Sequence, residues 1–438
     1  MSRSVKEILD GVQSTTGREL LDAVRYETFP PGPTFVHKLD VYLDSIRNQP
    51  NAAETIPQPT EEEEPQLHGS PLQRGDLVEI QGPSGSGKTS LAMFLTMITI
   101  LPETYETGHT RGEIGGKIRV EIGGKDQRVA LLAYGGSGLV RTLRMLEVGI
   151  RAHLDKCFAA AGMKSTQGQE REQTVQTITR DAMTRLAVFK IPSAAEGLEL
   201  TSTSSPWSGL CTALEYLMFY ANKRAEGEIS LVVIDGVGDP YWQARWYKEQ
   251  RRTTSKPSHS AITGGGIISS SDLGMDNVME NLTRLRKDLG CVVVVTNQSL
   301  WKPSHPQTGK PDPASSFWAQ HLPVPYPSPF QSRSDQDPDG ANPVLRSSSM
   351  RYWPLNVHIT LSAPNTSLRQ FRPDITLAET WKQGGEGYKR EMARREACWK
   401  GLVRCSGGAK RSPAGEVERY GEFEMWIGED GIVGFDSA

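Results

Sequence analysis

Residues 82–89 read Gly-Pro-Ser-Gly-Ser-Gly-Lys-Thr, and no other stretch constrains the chain as much. The octet satisfies G-x-x-x-x-G-K-[ST], in which a glycine-rich turn wraps phosphate groups with backbone N–H donors. Larger side chains would hold the backbone away from the anion, and glycine reaches dihedral angles that other residues avoid. The flanks fit the same reading. Leu77, Val78 and Ile80 predict a short strand before the octet, and SLAMFLTMITIL predicts a helix after it, stopped by Pro102. A helix starting there aims unpaired N–H groups and the positive end of its dipole at the anion. The candidate nucleotide-binding residues are Gly82, Pro83, Ser84, Gly85, Ser86, Gly87, Lys88, Thr89 and Ser90. Lys88 is expected to reach the β- and γ-phosphates, and Thr89 to place its hydroxyl on Mg²⁺. The bland alternative is a chance glycine-rich turn.

Such a site also needs an acid at the end of a neighbouring strand. Asp235 follows Leu231-Val232-Val233-Ile234 and is the candidate, holding Mg²⁺ through its water shell. Taken alone, an Asp after an apolar strand is equally a turn residue. A second apolar run, CVVVVTNQ (291–298), ends in Asn297-Gln298-Ser299-Leu300, which is not the N-K-x-D that guanine recognition requires. A GTPase is therefore not expected; resemblance to the ATP-binding P-loop proteins implies ATP, with Mg²⁺, as the nucleotide.

The remaining pattern alternates strands and helices. KIRVEI and RVALLA read as strands around Gly123-Gly124, and a helix follows over 139–160. Residues 161–180 are polar and read as loop or exposed helix. LAVFKI (186–191) is a strand, 208–224 an apolar-faced helix, and MDNVMENLTRLRKDLG (275–290) a helix ended by Gly290. NVHITLS, GLVRCS, EFEMWI and GIVGF read as strands closing the domain. This alternation predicts an α/β fold, a mainly parallel twisted sheet with helices on both faces. Residues 1–48 read as N-terminal docking helices: Val5, Ile8, Leu9 and Val12 have helical spacing, and Leu20, Leu21 and Val24 form either a docking helix for a partner or cover for the chain's own sheet edge. Residues 49–70 are rich in Pro and Glu and read as a flexible linker, leaving 71–438 as the core. Within the core, 239–274 reads as a mobile loop and 301–350, rich in Pro, Ser and Asp, as an irregular insertion.

The T-N-Q at the end of the 291–298 strand is similar to that of the RecA recombinase superfamily, whose glutamine senses the γ-phosphate; here that residue is Gln298. Thr16-Gly17-Arg18-Glu19-Leu20-Leu21 and Arg74-Gly75-Asp76-Leu77-Val78-Glu79-Ile80 resemble the start of a eukaryotic recombinase paralogue. Asp239-Pro240-Tyr241-Trp242 and the tail from Phe423 to Val433 resemble the X-ray repair cross-complementing protein 2 family. The likeness covers about residues 14–22, 72–102, 208–302 and 418–436. It implies a RecA-like core with antiparallel strands at the C-terminal edge, catalytic roles for Lys88 and Gln298, and a hetero-complex with sister paralogues. It also implies DNA recombination and double-strand break repair in the nucleus, with DNA contacted directly or through partners.

The pattern departs from active recombinases at one point. They carry a glutamate after the second core strand, where it positions the attacking water. Here the stretch from Val129 to Gly138 (VALLAYGGSG) holds no acid. Lacking it removes a general-base contribution typically worth about 10²–10⁴-fold, so weak or partner-dependent hydrolysis is expected. The rival readings are a stand-alone P-loop ATPase or phosphotransferase with a non-DNA substrate, and a scaffold that no longer binds nucleotide.

Arg245, Lys248, Arg251, Arg252 and Lys256 interleave with Tyr241, Trp242, Trp246 and Tyr247. Cations neutralise phosphates and aromatic rings stack on unpaired bases, so this loop is a candidate DNA contact. Packing on a partner and a plain solvated loop remain open. Net charge is −3 over 438 residues, which gives no global field toward nucleic acid. The five cysteines, at 157, 211, 291, 398 and 405, form no C-x-x-C pair and predict reduced thiols rather than zinc ligands. No run approaches the roughly 18 apolar residues of a membrane span. MSRSVKEILDGVQ lacks the continuous apolar core of a signal peptide.

Overall fold

A computed structural model describes residues 31–47, 71–107, 118–162, 168–192, 207–223, 228–240, 274–298, 355–362, 398–405, 420–428 and 433–435. The docking segment around Leu20, Leu21 and Val24, the linker 49–70, the insertion 301–350 and the cationic, aromatic stretch from Tyr241 to Lys256 lie outside the described residues.

The described chain forms an α/β fold around a large, mostly parallel mixed sheet. Its elements in order are α1 (His37–Arg47), β1 (Leu77–Gly82), α2 (Lys88–Ile100), β2 (Thr104–Thr107), β3 (Ile118–Glu121), β4 (Arg128–Tyr134), α3 (Ser137–Ala160) and α4 (Gly168–Thr184). Then come β5 (Leu186–Ile191), α5 (Ser208–Lys223), β6 (Ile229–Asp235), α6 (Met275–Leu289), β7 (Val292–Gln298), β8 (Val357–Ser362), β9 (Cys398–Cys405), β10 (Gly421–Ile427) and β11 (Val433–Phe435). The nine-stranded sheet runs β11-β10-β9-β8-β1-β7-β6-β4-β5. From β8 to β5 all neighbours are parallel, whereas β9, β10 and β11 extend the C-terminal edge as antiparallel strands.

Why the parallel strands read as continuous apolar runs is clear at β7. Val292 and Val294 pack into a core shared with α1, α2, α3 and α4, while Val293 and Val295 pack into a second core shared with α5 and α6. Helices thus cover both faces, and β7, buried on both sides, stays apolar until its last three residues. Helix α2 lies across β1, β4, β6 and β7 and is buried around its whole circumference. It therefore shows little amphipathic pattern, as expected of a helix in the middle of a core.

Three elements differ from the sequence expectation. Thr104–Thr107 forms a strand paired with β3 in a separate two-stranded antiparallel sheet. Residues 161–180, read as loop or exposed helix, contribute most of α4 (Gly168–Thr184), a helix that is not merely exposed but buries Val175, Ile178, Thr179 and Ala182 on one side. Spacing of three, four and seven makes that stripe, and the polar residues between them mask it in the linear sequence. Residues 37–47 form α1, whose Val36, Leu39 and Leu43 neighbours in the core anchor it beneath β9 and β10. Its last residue, Arg47, pairs with Asp76 at 2.8 Å, immediately before β1. Gly290 ends α6 in the left-handed region (φ 59°), with its N–H bonded to the Arg286 carbonyl, as the sequence predicts.

Candidate functional site

The carboxyl ends of β1, β7, β6 and β4 emerge along one edge of the sheet, the edge at which open parallel sheets bind ligands. At that edge β1 ends at Gly82 and the chain turns through residues 83–87 into α2. The Ser86 N–H closes the turn on the Pro83 carbonyl at 3.2 Å. Gly87, at φ 83°, forms the N-cap of α2, and no side chain caps the helix. Its first N–H groups thus keep their donors for an acceptor outside the helix. A side chain at Gly87 would be strained by that φ and would also strike the Met425 methyl, 2.7 Å from an added Cβ.

Lys88 turns its ammonium into the loop and donates to the carbonyl oxygens of Gly82 (3.0 Å) and Pro83 (2.7 Å). Burial lowers its pKa, and the charges of Asp235 and Asp239 oppose that shift. The Ser86 hydroxyl is fully buried with no hydrogen-bond partner. A buried orphan hydroxyl costs about 1–3 kcal/mol, which a bound acceptor or donor would relieve.

The residues expected to hold Mg²⁺ come together. Thr89 Oγ1 donates to Asp235, 3.1 Å from Oδ1 and 3.3 Å from Oδ2. Thr296 Oγ1, on β7, also donates to Asp235 Oδ1 at 2.6 Å and accepts the Gly236 N–H at 2.8 Å. Asp235 sits on β6, one strand removed from β1, and reaches Thr89 because β7 alone separates the two. Gln298 is exposed at the end of β7, in register with Gly82. Ser90, half-buried on α2, lies 4.0 Å from the Met145 sulfur rather than among the loop donors.

Four further residues at this edge were not singled out as site residues by sequence reasoning. Trp399, on β9, donates its indole N–H to the Gly85 carbonyl at 3.1 Å, so the C-terminal hairpin braces the phosphate loop. Asn297 donates its amide to Glu79 Oε1 at 2.8 Å inside the sheet. Tyr134, at the end of β4, has a buried hydroxyl without a partner. Burial, then the charge of Asp239, then Cys211 push its pKa well above the usual tyrosine value. Asp239, in the turn after β6, is exposed, yet its carboxylate is crowded by the protein around it. That crowding first, and the Asp235 charge second, push it up to about 6 against the opposing Lys88 charge. Asp239 had a sequence signal, being an acid four residues beyond a strand end and followed by proline, and Asn297 lies within the T-N-Q.

The donor set fits a magnesium nucleotide: a positive-φ glycine turn, an uncapped helix start, a half-buried lysine, and a hydroxyl beside a carboxylate. Among the described residues, no group of three or more His, Cys, Asp or Glu could hold a metal ion by itself. Nor is any helix among them long and apolar enough to cross a membrane. No protein-family model matches the chain, and no curated protein matches it.

Proposed function

We propose that this chain is an ATP-binding subunit of the RecA recombinase type. It serves homologous recombination and double-strand break repair in the nucleus, within a hetero-complex of sister paralogues, and touches DNA directly or through them. The carrying observation is the meeting of three distant sequence features at one sheet edge. Thr89 stands 3.1 Å from Asp235, and Gly82 is in register with Gln298. The strand order, with β1 between β7 and β8 and antiparallel strands at the C-terminal edge, supports the same core type.

In this reading the loop 82–90 wraps the phosphates, with Lys88 on the β- and γ-groups. Thr89 and Asp235 hold Mg²⁺, which supplies charge neutralisation for the triphosphate. Gln298 is the γ-phosphate sensor. Hydrolysis is weak or depends on a partner, because β4 runs into Tyr134-Gly135-Gly136-Ser137-Gly138 and brings no carboxylate. Nucleotide state then controls assembly more than turnover does.

The test is whether single-stranded DNA changes nucleotide affinity in the purified chain or its complex. Coupling is reciprocal, so a recombinase-type protein binds ATP more tightly with DNA and DNA more tightly with ATP. A stand-alone ATPase or phosphotransferase shows the same ATP affinity with and without DNA.

A further inference from the structure

The turn after β6 is held more rigidly than a surface turn needs to be. Val237 N–H donates to the Thr296 carbonyl (3.0 Å), Gly236 N–H to Thr296 Oγ1 (2.8 Å) and Asp239 N–H to the Gly236 carbonyl (3.0 Å). Gly238 lies so close to Asn297 that an added Cβ would sit 2.3 Å from its Oδ1. Asn297 is itself tied to the buried Glu79. Gly236, at φ 89°, would place a Cβ 2.6 Å from Asp239 Oδ2. The Asp239 carboxylate is therefore folded back onto the end of β6 by the backbone.

There it shares one electrostatic field with Asp235 and Lys88. Among the described residues, one cation, Lys88, shares that field with two carboxylates. Asp235 is further satisfied by the Thr89 and Thr296 hydroxyls, so Asp239 is the surplus negative charge beside the phosphate loop. The buried hydroxyls of Ser86, in the phosphate loop, and of Tyr134, at the end of β4, have no partner, which points to a ligand at this sheet edge.

We propose that Asp239 makes triphosphate binding conditional on a divalent cation, by repelling metal-free nucleotide from a loop that otherwise attracts it. This rests on the nucleotide-binding reading above. Phosphate and carboxylate repel across a short distance; a divalent ion between them turns the repulsion into attraction. Thr89 and Asp235 by themselves would leave most of the ion's coordination positions to phosphate oxygens and water, so cation and phosphate arrive together. The site accepts the magnesium complex and rejects the free anion.

The experiment titrates the full chain with a fluorescent N-methylanthraniloyl ATP, once in magnesium chloride and once in EDTA, for wild type, Asp239→Asn, Asp239→Ser and Asp239→Glu. The readout is the ratio of affinities with and without the cation. Both neutral variants are expected to lower that ratio about fivefold at low ionic strength, chiefly by binding metal-free nucleotide more tightly, and added salt shrinks the difference. Asp239→Glu keeps the wild-type ratio. Tighter binding cannot come from a damaged fold. An unchanged ratio in the neutral variants, or weaker metal-free binding in both, overturns this inference and leaves nucleotide binding standing. Absence of binding by wild type in either buffer overturns both.

Discussion

Thr89 Oγ1 and Asp235 Oδ1 lie 3.1 Å apart although 146 residues separate them in the chain. One opens the helix after β1 and the other ends β6, so their contact fixes a phosphate loop and a strand-end acid in a single site. Asp235→Asn keeps the acceptor for Thr89 and Thr296 but removes the charge. Its affinity for ATP should fall about tenfold in Mg²⁺, in line with losing one charge-assisted interaction. Its affinity in EDTA should not fall. Equal losses in both buffers would mean that Asp235 serves the fold and not a cation.

Trp399 tests whether the C-terminal hairpin sets the loop. Trp399→Phe keeps an aromatic ring on β9 and removes the N–H that reaches the Gly85 carbonyl. A neutral hydrogen bond is worth about 1 kcal/mol, so ATP affinity should weaken about fivefold if the bond holds the receptive shape. The thermal midpoint should move little, because the ring remains half-exposed at the strand edge. A shifted midpoint with unchanged affinity would assign the residue to stability alone.

Glu79 and Asn297 form a polar pair on neighbouring internal strands. Asn297→Leu removes a donor from a fully buried carboxyl group and should cost about 1–3 kcal/mol in urea unfolding. Adding Glu79→Leu should recover much of that loss, because the carboxyl group that lost this donor is then gone as well. If the double variant is as unstable as the sum of the two singles, the pair is not the coupling unit.

His358 predicts acid sensitivity. It is fully buried, accepts the Arg404 Nε–H at Nδ1 (3.1 Å), and lies 2.7 Å from Gln81 through Nε2. With Nδ1 accepting, the ring is the neutral Nε2–H tautomer, which donates to Gln81 Oε1. Burial first, then the Arg404 charge, hold its pKa well below the ordinary 6.5. The unfolded chain therefore takes up a proton near pH 6.5 that the folded one refuses. This contribution to stability is full above about pH 6.5 and is lost progressively as pH falls below it. Urea midpoints at pH 7.5 and 5.5 should differ more for wild type than for His358→Gln. Equal pH dependence in the two would assign the acid sensitivity to other groups.

Much of this architecture was legible from the sequence. β6 and β7 show as apolar runs because internal parallel strands are buried on both faces, and the loop 82–89 shows because phosphate binding demands glycines at fixed offsets. What stayed hidden depends on long-range packing. Trp399 lies 314 residues from Gly85, and no local pattern brings them together. Asp239 joins the site only because Gly236 takes a positive φ and Gly238 packs on Asn297. At α4 the sequence left loop and exposed helix open, and the buried stripe stayed hidden because Val175, Ile178 and Ala182 are diluted among polar neighbours. Gln298 was found as a candidate through a resemblance and sits beside Gly82 in register, a relation that the strand pairing supplies and the sequence alone does not.

The most direct measurement is calorimetric titration of the full chain with ATP in Mg²⁺, alongside Lys88→Ala. Lys88 now bonds two loop carbonyls, and in complex it should form charge-assisted bonds to phosphate worth about 1.5–3 kcal/mol each. Wild type should bind one ATP per chain, and the variant should bind about 100-fold more weakly with its fold intact by circular dichroism. No binding by wild type, or equal binding by the two proteins, would contradict a phosphate-binding role for residues 82–89.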